Sequence, residues 1–308
     1  MGTPLLWVGF ILFVLVALAL DLGVFHRKAH KVAIREAIIF SALWIGLALC
    51  FGFFVWHWFG PQRGMEYFTG YVIEKSLSID NLFIFLVIFR TFQVEDRVQH
   101  RVLAWGILGA LLTRGLMIAT GALLISRFHW ILSVFGLFLV FSGVHMLWKR
   151  NKTRHFERNP LFRFASTHLR VTKEYRGSHF FHRQDGKLFA TPLFLVLLIV
   201  ELTDITFAVD SIPAIFGITQ DPFIVFTSNV FAILGLRALY FLLADLLGYF
   251  RYLGIGLALI LVFIGLKMLA EPWWHISVGP SLGVVAAILL ITILISLLAG
   301  PKKMETAG

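Results

Sequence analysis

Glu74-Lys75-Ser76-Leu77-Ser78-Ile79-Asp80-Asn81 and Asp204-Ile205-Thr206-Phe207-Ala208-Val209-Asp210-Ser211 share one pattern: an acid, five residues, an aspartate, then a small amide or hydroxyl. Glu201 and Thr203 add further oxygen-bearing side chains just ahead of the second copy. Apart from the amide nitrogen of Asn81, every polar side-chain atom in the set Glu74, Ser76, Ser78, Asp80, Asn81, Glu201, Thr203, Asp204, Thr206, Asp210 and Ser211 is oxygen. Oxygen-only sets suit hard divalent cations such as Mg2+, Ca2+ and Mn2+, whereas Zn, Cu and Ni generally recruit imidazole or thiolate. Five carboxylates (Glu74, Asp80, Glu201, Asp204 and Asp210) exceed the two charges of one ion. Lys75, Arg114 or Arg237 can offset the surplus, or some of the acids carry protons.

A separation of six residues sets each acid and its aspartate ~240° apart around a straight helix. Convergence therefore calls for a break. Pro213 offers one, because it cannot donate to the carbonyl of Val209, which then becomes a further candidate oxygen ligand. Around Ser76, Ser78 and Asn81, without a proline, local unwinding is the corresponding expectation. The plainer alternative makes these groups structural: Glu74 paired with Arg114, Asp204 with Arg237, and Asn81 and Ser211 in interhelical hydrogen bonds. Asn229 reads as a polar bridge, and His145 and Lys267 as snorkelling anchors.

Both acidic copies lie in runs apolar enough to cross a bilayer, where a carboxylate at a helix centre costs at least ~2.5–3.5 kcal/mol. The chain has 59% hydrophobic and 14% charged residues and a mean hydropathy of +0.86, far from a soluble domain. Apolar segments at about 5–24, 34–59, 66–89, 102–125, 128–148, 189–217, 223–247, 252–270 and 277–299 predict an all-α, polytopic membrane protein of about nine transmembrane helices. The first run lacks a basic leader and a small-residue cleavage site, so it is expected to remain as an anchor. The single Cys50 cannot form an internal disulfide or a thiolate cluster, and reads as a small packing residue.

The net charge of +10 is a topology signal rather than a nucleic-acid surface. Of 27 Lys and Arg residues, 21 fall at 25–35, 90–101, 149–187, Arg251 and Lys302–Lys303. These connections share one side if the N-terminus is outside and the C-terminus cytoplasmic. The basic connection at about 149–188 holds 11 of them and four histidines, with room for a short interfacial helix near Leu161–Val171 that meets anionic lipid.

Further landmarks repeat in order. Ala110–Arg114 resembles Ile233–Arg237, and Leu139-Val140-Phe141-Ser142-Gly143-Val144-His145-Met146-Leu147 matches Leu261-Val262-Phe263-Ile264-Gly265-Leu266-Lys267-Met268-Leu269 at six of nine positions. One domain, 1–308, is thus expected to hold repeat A (about 66–148), the basic loop and repeat B (about 189–270). Three spans per copy force the second copy upside down, an inverted repeat of helices 3–5 and 6–8.

The two acidic helices resemble the signature helices of the TerC family, and the likeness runs from Gly2-Thr3-Pro4 to Ser281-Leu282-Gly283. Asp221–Ala244 is especially similar to the family's Alx branch. The resemblance implies manganese export from the bacterial cytoplasm, with Glu74, Asp80, Glu201, Asp204 and Asp210 as family acids. It also implies an inner-membrane location and links to tellurite resistance and to metal delivery to exported enzymes. The favoured expectation is an alternating-access exporter of a hard divalent cation, most simply Mn2+, with metal ligands Glu74, Asp80, Asn81, Glu201, Asp204, Asp210 and Ser211. Arg114 and Arg237 supply supporting charge, and inward proton flow drives export. Mn2+ is then cargo, with no cofactor. The alternative is a membrane partner protein that contacts secretion machinery. An intramembrane enzyme lacks support, since the sequence has neither a His-Glu-x-x-His run nor a Gly-x-Ser-x-Gly turn.

Overall fold

A computed structural model of the chain describes residues 2–23, 34–128, 130–148, 171–172, 175, 177–184, 187–243, 252–271, 273–274 and 276–300. Ten helices occur among the described residues. They are α1 (Pro4–Gly23), α2 (Ile34–Phe59), α3 (Pro61–Thr91), α4 (Asp96–Arg127), α5 (Ile131–Trp148), α6 (Pro192–Phe216), α7 (Pro222–Leu234), α8 (Leu236–Leu243), α9 (Leu253–Ala270) and α10 (Val278–Ala299). Seven segments are long and apolar enough to cross a membrane: α2, α4, α5, α6, α7 continued through α8 to Leu242, α9 and α10. α1 adds the shorter apolar stretch Pro4–Leu20, and α3 runs 31 residues while carrying Arg63, Glu66, Glu74, Lys75, Asp80 and Arg90.

The helix starts follow from local chemistry. Gly60 takes φ 90° immediately before Pro61, where the ring fits the first helical turn. Pro192 and Pro222 open α6 and α7 in the same way, and Asp221 caps α7 by accepting from the Phe223 amide at 2.9 Å. The expected seventh span is divided at Gly235, next to which Lys75 Nζ donates to the Ala232 carbonyl at 3.1 Å. A Cβ on Gly235 would lie 3.0 Å from Trp44 and 3.1 Å from that ammonium, so the interruption sits where neighbours approach closely.

Two expected breaks are absent. α6 continues through Pro213 and α3 is unbroken past Ser76, Ser78 and Asn81. Neighbouring helices bury the Ala208–Phe216 face and hold the helix around its missing amide. A second correction concerns the basic connection, where the structure has two short strands, β1 (Phe181–Gln184) and β2 (Lys187–Ala190), paired antiparallel from Phe181↔Ala190 to Gln184↔Lys187. Arg101 donates to Ser178 Oγ at 2.8 Å, Thr191 Oγ1 to the His179 carbonyl at 2.7 Å, and Tyr175 to the Phe92 carbonyl at 2.5 Å. The Arg101 and Tyr175 bonds fasten the segment to the basic ends of α4 and α3, and the Thr191 bond ties it to the start of α6. The interfacial helix expected near Leu161–Val171 falls almost wholly outside the described residues.

α3 is central, packing against α2, α6, α7 and α10, while α4 lies across α6 and α7. The tightest pairing is α5 with α9. A Cβ on Gly143 would meet the Ala258 carbonyl at 2.7 Å, and one on Gly265 would meet the Gly136 carbonyl at 2.6 Å. The two contacts fix an antiparallel crossing at backbone distance. Gly143→Val is therefore expected to destabilise the protein by about 1–3 kcal/mol through overpacking. Gly46, with nothing within 4 Å of its Cβ direction, should accept alanine. Thermal unfolding in detergent compares them.

Exposed Trp56, Trp58, Trp130, Trp273 and Trp274 gather at the helix ends opposite the basic connections, consistent with an interfacial belt. Exposed His145 also suits an anchor, stacked on Phe141. Lys267 does not: it is buried rather than snorkelling. Cys50 faces outward instead of into the packing.

Candidate functional site

Three helices place charged groups at one buried point. Arg114 on α4 reaches between α3 and α6 and is 2% exposed. Its Nη2 and Nε donate to Asp204 Oδ1 and Oδ2 at 2.9 and 3.1 Å, the two-pronged match of guanidinium to carboxylate. Its Nη1 donates to Glu74 Oε1 and, at 3.3 Å, to Ser211 Oγ. Glu74 is fully buried and its Oε2 meets no partner among the described residues. Two carboxylates thus share one guanidinium, leaving one negative charge if both are ionised.

This arrangement corrects the expected pairing of Asp204 with Arg237: Arg114 takes both acids. Arg237 is buried nearby, lining with Asp204, Gly106, Val200 and Phe85 a cavity of about 10 Å³, room for roughly one water centre.

Asp210 turns elsewhere, as a straight helix requires. Its Oδ1 accepts from Ser142 Oγ on α5 at 2.9 Å. Glu201 is half-buried against α4, where a Cβ on Gly109 would lie 2.0–2.3 Å from its carboxylate. Only glycine leaves that space, so Gly109→Ala should displace Glu201. Asn81 is buried, and the side chain of Asp80 lies outside the described set. Among the described residues no three His, Cys, Asp or Glu side chains stand close enough together to hold a metal ion. In this closed arrangement the acids that sequence spacing pairs are distributed between Arg114, Ser142 and the α4 backbone.

Apolar layers close the centre from both directions. Toward the Trp-rich end lie Ile118, Ile212, Ile215, Phe216 and Val225. Toward the basic end lie Leu82, Phe85, Leu103, Val196 and Val200.

Several polar participants escape a reading of acids alone. Ser142 sits inside the Leu139–Leu147 landmark, but a lone serine there carries no signal until its partner is known. Near the Trp-rich end, Glu66 Oε2 accepts from Arg63 at 2.8 Å and from Thr219 at 2.7 Å. Asp221, the α7 cap, stands 3.9 Å from the same arginine. Arg63 and Glu66 stand in the first turns of α3, and nothing local in the sequence links them to Thr219.

The TerC profile, described as "Integral membrane protein TerC family", matches residues 59–304 and so spans every helix of the candidate site. The chain belongs to the TerC family. This TerC chain is 52% identical over 297 residues to "Uncharacterized membrane protein STKORF319" of Myxococcus xanthus, covering 96% of the chain and 93% of that relative. It is 49% identical over 304 residues to "Putative membrane-bound redox modulator Alx" of Escherichia coli (strain K12) and of Shigella flexneri, in each case covering 96% of the chain and 95% of the relative. No solved structure matches it. The TerC chain is thus an integral membrane protein with near full-length Alx relatives.

Proposed function

We propose that the protein exports a hard divalent cation, Mn2+ being the favoured substrate, from the bacterial cytoplasm across the inner membrane. The observation that carries this reading is Arg114 holding Glu74 and Asp204, acids from equivalent positions of the two acidic copies. A buried ion pair is weak support for a fold, since apolar packing often serves as well. Intramembrane charges of this kind more often mark an ion pathway.

Arg114 acts as a tethered counter-cation in the metal-free closed state. An arriving dication competes for Glu74 and Asp204, and the guanidinium withdraws from both. Asp80, Asn81, Glu201, Asp210 and Ser211 complete the oxygen set as the helices shift. Loss of the cation lets Arg114 return, which closes the site behind it. Surplus carboxylates, Glu201 first among them, exchange protons for metal and link export to inward proton flow.

Packing supports an inverted repeat as the moving frame. Aligning Gly143 with Gly265 also aligns Gly136 with Ala258. The contact Gly136–Gly265 then maps onto Ala258–Gly143, the other observed contact of α5 with α9. A two-fold axis in the membrane plane produces such reciprocity. Three spans per copy, an odd number, invert the second copy, and an odd total of nine fits an outside N-terminus and a cytoplasmic C-terminus.

Anionic lipid at the basic loop, and contact with secretion machinery, are secondary parts of the proposal. No enzymatic reaction belongs to it. Cells expressing the protein should hold less cytoplasmic Mn2+ than cells lacking it, and Asp80→Asn should remove the difference. Equal Mn2+ in all three, with each variant present in the membrane, would exclude export. Copurification with translocation components in that case would favour the partner role.

A further inference from the structure

Asn229 on α7 is 1% exposed, and neither its Oδ1 nor its Nδ2 has a hydrogen-bond partner among the described residues. It therefore does not bridge helices, contrary to the sequence expectation. Buried amides without partners are rare, and each calls for a partner such as a water or an ion.

Helix periodicity fixes where it faces. Val225, one turn earlier on the same face of α7, packs with Ile118 of α4 and with Ala208, Ile212 and Ile215 of α6. One turn deeper along each neighbour stand Arg114, four residues before Ile118, and Ser211, four before Ile215. Asn229 thus continues the apolar layer inward, on the side where those helices present the charged cluster.

Depth agrees as well. α3 and α7 run in the same direction, with Gly70 against Ser228 and Lys75 against Ala232. A long side chain on a helix leans toward that helix's N-terminus. Glu74 therefore leans back toward the level of Gly70 and Ser228, the level of Asn229. Glu74 Oε2 is likewise a buried oxygen without a hydrogen-bond partner among the described residues.

We infer that Asn229 is a ligand of the transported dication, its amide oxygen acting with Glu74 Oε2 on the side of the cluster away from Asp204. The inference rests on the exporter reading above. An amide oxygen is a hard donor that adds no charge. With Arg114 withdrawn, Glu74 and Asp204 supply two negative charges, and a neutral amide adds an oxygen without further charge, so the dication is held without being trapped. An aspartate there would hold it harder. Asn229 is in this sense the residue that tunes release.

Equilibrium dialysis of purified full-length protein against Mn2+ tests the assignment, with melting temperature recorded in parallel. Asn229→Leu is nearly isosteric and removes an unsatisfied amide, so its metal-free melting temperature should equal or exceed wild type. Its Mn2+ affinity should fall at least ~10-fold. Asn229→Asp keeps the oxygen and adds charge, so it should bind Mn2+ more tightly than wild type. Wild-type affinity in Asn229→Leu overturns the assignment while leaving the exporter reading intact. Should the leucine variant fail to fold, an aspartate variant that binds no more tightly than wild type overturns it equally. Wild-type protein that binds no Mn2+ removes both readings together.

Discussion

Arg114→Gln should lower the metal-free stability of the protein by about 3–5 kcal/mol, the loss typical when one partner of a buried charge pair is removed. The guanidinium serves two acids at once, so its removal strands Glu74 and Asp204 together in an apolar interior. Mn2+ should restore part of the loss, because a dication can neutralise both carboxylates. The triple variant Arg114→Gln, Glu74→Gln, Asp204→Asn should regain stability without regaining any response to metal, since no ionised group is left stranded. Thermal unfolding of wild type and both variants in detergent, with and without Mn2+, reads all six conditions. A single variant that melts like wild type would mean that the acids are neutral in the native protein and that Arg114 is no counter-cation.

Neutralising the acids should weaken metal binding more than any other single change. A unit charge pair about 4 Å apart is worth ~4 kcal/mol at an effective dielectric constant of 20, and a dication doubles the charge. Asp204→Asn and Glu74→Gln should therefore each reduce Mn2+ affinity by more than ~100-fold, even after generous allowance for screening. Asp210→Asn removes an acid held by Ser142 rather than by Arg114. Its effect should fall more on flux than on affinity, because that residue joins the site only as the helices shift. Reversal of this order in a binding titration would place the resting site around Asp210 instead.

The membrane class and most helices were legible because apolar length and period survive any packing. Glu74, Asp204 and Arg114 were legible as a group because charge inside an apolar run is costly and three coincidences in one order are hard to produce by chance. Which arginine served which acid was not legible. Arg114 and Arg237 have equivalent local contexts, and only the crossing of α4 over α6 decides between them. Pro213 reads as a break in the sequence because a missing amide is a local fact, whereas burial of the Ala208–Phe216 face is tertiary. The Gly235 interruption is silent in the sequence for the opposite reason, since nothing nearby announces Trp44 or Lys75. The β1–β2 hairpin does have a sequence signal: Asp185-Gly186, a frequent two-residue hairpin link, stands in the sequence between Phe181–Gln184 and Lys187–Ala190.

Mn2+ movement across proteoliposomes that contain only this protein is the most direct measurement. Wild-type vesicles should carry Mn2+ down an imposed gradient, faster with an opposing proton gradient, and Asp204→Asn vesicles should match protein-free ones. Wild-type flux indistinguishable from empty vesicles, or Asp204→Asn flux equal to wild type, would contradict a cation path through the Arg114 cluster.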